Sequence, residues 1–135
     1  MTSRIEQLSA NRFGVELCFE KVAFYDVPAL SGRYPFVFLD QIDVETARPA
    51  CQLAHDVSPD SPLVAASLAR VEEAAENWEA AERLYVMVAD EAFPAGYTLL
   101  GDFYKNRANN LNNNADLFSK SLAAYQVGSD LGAPA

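Results

Sequence analysis

The stretch Ser61–Tyr104 reads SPLVAASLARVEEAAENWEAAERLYVMVADEAFPAGYTLLGDFY, and it decides the fold. Ala81, Leu84-Tyr85, Val88-Ala89, Ala92 and Ala95 fall at offsets of 0, 3–4, 7–8, 11 and 14, one face of a 3.6-period helix carried into the next turn. The same register returns downstream at Ser121, Ala124-Tyr125, Gly128-Ser129, Gly132 and Ala135. It returns upstream, more weakly, at Ala47, Ala50-Cys51, Ala54-His55, Ser58 and Ser61. The steps, 34 and then 40 residues, are the spacing of a helical solenoid. The expected fold is all-α: a right-handed α-solenoid of stacked antiparallel helix pairs, with an irregular, partly extended N-terminal segment.

Local signals place the elements. Ser61 can cap a helix with Pro62 at its first position, running to about residue 76, where Asn77 breaks it. Trp78 opens a helix to about 91, Pro94 opens one to about 107, and a last helix spans about 115–130. The run Ala108–Asn114, ANNLNNN, reads as a polar loop, since asparagine favours turns over helices. Upstream, Asp43 can cap a helix to about Asp56. Residues 14–24 read as a helix that pairs with it, although Phe13, Val15, Leu17 and Phe19 also alternate in a strand-like way, and Ile5–Arg12 can form a short helix. Asp26–Asp40 is a connector punctuated by Pro28, Gly32 and Pro35, and its apolar strip Tyr34–Leu39 is expected to be extended, packing over the first helix pair or docking a partner. One domain over 1–135 is expected: cap and connector (1–42), the helix completing the first pair (43–61), and repeats at 62–94 and 95–135.

Totals exclude several functions. Half of the residues are apolar, which a disordered chain does not show. The net charge of −9, from 19 acidic and 10 basic residues, lacks the basic footprint that nucleic acid or an anionic membrane surface requires. No apolar run approaches the roughly 20 residues of a membrane span, and Met1–Gln7 shows no basic-then-apolar signal peptide. Neither a Gly-rich phosphate loop, a His-Glu-x-x-His motif nor a serine elbow is present, so no cofactor or catalytic residue is expected. Cys51 and His55, the only histidine, stand one helical turn apart, a spacing that metal ligands use; without a Cys-x-x-Cys partner, Cys51 reads as a packed helix residue or disulfide partner. The carboxylates Glu72, Glu73, Glu76, Glu79 and Glu82, mixed with Arg70 and Arg83, read as a solvated helix face with local ion pairs.

Leu68-Ala69, Trp78, Ala81, Tyr85 and Pro94 resemble the tetratricopeptide pattern of a small residue, an aromatic, an alanine, a Tyr or Phe and a closing Pro. Leu100-Gly101-Asp102-Phe103-Tyr104, a longer inter-helix loop at 105–114, and Gly132 with Ala135 are similar to the Sel-one-like subclass. Phe38–Asp43 with Ala47 and Ala50-Cys51 resembles the entry of bacterial repeat proteins, cytoplasmic or exported, that carry cysteines where Cys18 and Cys51 stand. The resemblance covers about 40–135. It implies that Cys18 and Cys51 lie close together, as a bridge or as two thiols. Ser121, Glu72 and Gly128-Ser129 depart from the pattern and imply a loosely packed last repeat.

The family presents the first helix of each pair along a concave groove. Carried over, that groove is lined by Leu63, Ala66, Arg70 and Glu73, then by Ala95, Thr98, Asp102, Lys105 and Asn106, with Arg70 and Lys105 its only cations. This implies a non-enzymatic protein-interaction module for a peptide or partner helix. The alternatives are an accessory or regulatory domain of a larger bacterial enzyme or assembly, and a hydrolase. The last follows relatives that carry a cysteine pair in every repeat, where this chain has two cysteines in all.

Overall fold

The structure is a computed structural model and describes residues 15–22, 37–91 and 94–132; the expected helix at Ile5–Arg12 and the connector up to residue 36 lie outside them. Every regular element among the described residues is helical. Helix α1 covers 15–22, and a single 3₁₀ turn, Leu39–Gln41, leads to α2 (Val44–Val57). Then follow α3 (Pro62–Ala74), α4 (Trp78–Asp90), α5 (Pro94–Asn110) and α6 (Ala115–Asp130). From α2 onward each helix packs on the next, and α3 also touches α5.

Capping chemistry explains several boundaries. The Ser61 side chain accepts the amide of Val64 at 3.3 Å, with Pro62 behind it. Asn114 caps α6 by accepting the Leu117 amide at 3.1 Å. Asp43 stands at the N-cap of α2 without capping it, because its carboxylate instead accepts the Thr46 hydroxyl at 2.8 Å. Helix α3 ends at Ala74, three residues before the expected breaker Asn77. Glu76 takes the left-handed conformation (φ 63°), its amide donates to the Glu73 carbonyl, and the Asn77 amide reaches back to the Glu72 carbonyl. That is a Schellman ending with a glutamate where glycine is the usual residue.

The asparagine run is shorter as a loop than its composition implies. Helix α5 continues through Asn110, so the inter-helix loop is only Leu111–Asn114 and not 105–114. Asn112 and Asn113 take φ of 58° and 60°, a conformation asparagine tolerates better than most residues, and turn the chain there.

Burial follows the repeat. Ala47, Ala81 and Ser121 are all buried, as are Ala50, Cys51 and Ala54, then Tyr85, Val88 and Ala89, then Ala124 and Gly128. Two apolar clusters meet at α3. Val64, Leu68 and Val71 pack with Cys18, Val22, Ala47 and Cys51, while Ala65, Ala66 and Ala69 pack with Ala81, Tyr85, Val88 and Phe103. Nine of the 13 residues of α3 are buried, so it is a central helix and not an amphipathic surface one.

Cys18 and Cys51 form a disulfide with Cα atoms 4.7 Å apart, tying α1 to α2. Closing 33 residues of chain stabilises the fold by about 4 kcal/mol on chain-entropy grounds. The last helix, α6, is held firmly against α5. The buried Ser121 hydroxyl donates to the Gly101 carbonyl at 2.8 Å, a bond the expected alanine could not make, and α5–α6 is the most extensive helix contact among the described residues.

Two glycines set helix separations. A Cβ on Gly96 would lie 2.9 Å from backbone atoms of Ala89, and one on Gly101 would lie 2.6 Å from the Tyr125 ring. A ring can swing away, whereas the backbone of α4 cannot move without the whole helix. Gly96→Ala should therefore destabilise by about 1–2 kcal/mol, even after the gain in helix propensity, and Gly101→Ala by less than about 1 kcal/mol. Denaturant unfolding checks the ranking, and a Gly96→Ala protein as stable as wild type would contradict it.

Candidate functional site

A cleft of about 510 Å³ opens where four pieces of chain meet. Phe38, Leu39 and Asp40 form one wall, and Glu73, Ala74 and Glu76 at the end of α3 form the next. Trp78 at the start of α4 and Asn106, Asn109 and Asn110 on the last turns of α5 complete it. The Glu76 turn matters to this geometry, because it reverses the chain between α3 and α4 and leaves the glutamate side chain at the cleft.

Specific contacts hold Trp78 and Glu73 in the lining and the residues behind it. The Arg107 guanidinium lies 3.9 Å from the Trp78 ring centroid, a cation–π stack that ties α5 to α4. Glu72, behind the rim, accepts two bonds from Arg48 at 3.1 and 3.3 Å and one from Asn77 at 2.7 Å. At the floor, the Tyr85 hydroxyl donates to Glu73 at 2.8 Å. Burial raises the Glu73 pKa above its ordinary 4.5, and hydrogen bonds from Tyr85 and Asn106 and the charge of Arg70 only partly offset this. Burial, and then the Glu73 carboxylate, push Tyr85 well above 10. Higher up, the Tyr104 hydroxyl donates to Glu82 at 2.8 Å, and its pKa is pushed up to about 12, first by burial and then by that bond.

The expected groove residues divide. Ala66, Arg70, Glu73 and Ala95 are buried and Leu63 and Thr98 half-buried, while Asp102, Lys105 and Asn106 are exposed. Of the nine, only Glu73 and Asn106 line the cleft. Arg70 is not an open groove cation: it is 7% exposed and donates to the carbonyls of Val22 at 2.6 Å and Val37 at 2.8 Å. Chain from α1 and from residues 37–41 therefore covers the front of α3, and an Arg70→Glu change would disrupt the fold and not a surface. Asp102 accepts the Tyr125 hydroxyl. The carboxylate row is not one solvated face either, since Glu73 is buried, Glu72 is paired with Arg48 and Glu82 with Tyr104.

The apolar strip is only partly extended within the described residues. Val37 and Leu39 pack against the α1–α3 cluster, Leu39 already belongs to the 3₁₀ turn, and Phe38 stays 56% exposed. Phe38 belongs to the strip read as a cap or a docking segment, whereas Asp40, Glu76, Asn109 and Asn110 are not expected at a site from the sequence. Asn109 and Asn110 read as loop, and the others meet only through contacts distant in sequence. Cys51 is committed to the disulfide, so it cannot act with His55 as a metal ligand or nucleophile. No helix among the described residues is long and apolar enough to cross a membrane.

No protein-family model, no curated protein and no solved structure matches the chain.

The shift of Glu73 has a signed consequence for stability. Below 4.5 both folded and unfolded chains carry the proton. As pH rises from there through the raised folded pKa, the unfolded chain ionises first and the folded state loses stability. Glu73→Gln has nothing to titrate at this position. The stability of wild type relative to Glu73→Gln should therefore fall as pH rises above about 4.5. Urea unfolding of both proteins across that range checks the sign, and a difference that grows with pH would contradict it.

Proposed function

We propose that this chain is a non-enzymatic interaction module of the tetratricopeptide superfamily, Sel-one-like in type, and that its cleft holds an extended peptide from a partner protein. On this reading the helices are antiparallel pairs of a right-handed solenoid, with α1–α2, α3–α4 and α5–α6 as the pairs. Support comes from the equivalent burial of residues 34 and 40 positions apart, and from the contact of α3 with α5 across the intervening helix.

The observation that carries the functional reading is the chemistry of the cleft. Asn106, Asn109 and Asn110 offer a row of amides, each able to donate and accept, beside the aromatic Phe38 and Trp78. A peptide backbone needs paired donors and acceptors, and its apolar side chains need aromatic surface. The volume, about 510 Å³, falls within the range of about 300–1,000 Å³ typical of ligand sites. The cleft is open-walled, as a site for a through-running chain must be.

Asn109 and Asn110 are exposed on the last turn of α5, so replacing both with alanine should leave the fold intact and favour the helix. Peptides selected from a random library on the wild-type protein should bind the double variant about tenfold more weakly, the loss of two hydrogen bonds. Unchanged affinity with unchanged circular dichroism would place the site elsewhere.

A further inference from the structure

The electrostatics of the cleft point to one class of occupant. Among the described residues that line it, three are carboxylates, Asp40 and Glu76 at the exposed rim and Glu73 at the floor, and none is a lysine or arginine. Two cations beside it are already engaged: Arg107 on the Trp78 ring, and Arg70 on the carbonyls of Val22 and Val37. The whole chain adds a long-range field of the same sign, with a net charge of −9.

We propose that the cleft is selective for a basic, extended peptide segment, one that alternates lysine or arginine with an apolar side chain. This rests on the peptide-binding reading above and adds the charge of the partner. The basic side chains meet Asp40 and Glu76 at the rim, the apolar ones meet Phe38 and Trp78, and the amides of Asn109 and Asn110 meet the backbone. Glu76 supplies an independent handle. It holds a left-handed conformation that glycine would adopt without strain, so its side chain is replaceable on structural grounds.

The test uses the full chain and a short capped probe peptide, Ala-Lys-Phe-Ala-Lys-Phe-Ala-Lys, fluorescently labelled. Two sister peptides carry glutamine or glutamate in place of each lysine. The basic peptide should bind about tenfold tighter than the glutamine peptide, and the glutamate peptide weakest. The preference should shrink between about 0.05 M and about 0.5 M salt, as the Debye length shortens. Asp40→Asn with Glu76→Gln should weaken the basic peptide about fivefold and leave the glutamine peptide unchanged. Glu76→Gly should weaken the basic peptide as well while its thermal midpoint stays at or above that of wild type, a combination that a purely structural role does not produce.

Equal binding of all three peptides would overturn the charge selectivity and leave the peptide cleft standing. No binding of any peptide up to about 1 mM would overturn both. Sedimentation of the protein alone as a dimer, with no peptide bound, would assign the cleft to a second copy of the chain and overturn the proposal.

Discussion

A single guanidinium buried on the central helix constrains the rest of the molecule. Helix α3 is enclosed on nearly all sides, yet it carries Arg70 at 7% exposure. A buried charge left without partners costs on the order of 3–5 kcal/mol, enough to unfold a marginal domain. Arg70 meets this by donating to the carbonyls of Val22, at the end of α1, and Val37, just before the 3₁₀ turn. Glu73, one turn further on, adds a carboxylate whose charge acts on the same guanidinium. Two stretches of chain separated by 14 intervening residues are thus fixed to one side chain.

The cleft follows from that attachment. Once Val37 is pinned and Leu39 is packed in the apolar cluster, strand-like alternation turns Phe38 outward, and the 3₁₀ turn sets Asp40 beside it. On the opposite side, Tyr85 holds Glu73 in the floor and the Glu76 turn sets the rim. The disulfide anchors the same N-terminal piece from its other flank, through α2. Stability and site are therefore built from the same contacts. Glu73 illustrates the tension: it is ionisable, poorly solvated and close to the cleft.

Helix α3 was legible in the sequence because Ser61-Pro62 marks its start, and the pairing of helices was legible because many of the small and apolar residues recurring at 34 and 40 positions become buried. The end of α5 was not legible, since an asparagine run argues for a loop, whereas the helix runs on through the buried Ala108 to Asn110. The front of α3 misled for a different reason. Arg70 has the position of a groove residue, but its partners lie 48 and 33 residues away, and nothing local in the sequence announces them. The cleft was hidden by the same non-locality, because Phe38, Glu76 and Asn110 share a surface only after three separate helix ends converge.

The central role of Arg70 is tested most directly by amide hydrogen exchange on an Arg70→Met protein, compared residue by residue with wild type. Methionine keeps the apolar stem and removes the donors to Val22 and Val37. The account predicts a selective loss of protection at residues 15–22 and 37–41, with α4, α5 and α6 protected as before. Protection at those N-terminal residues unchanged from wild type would contradict it.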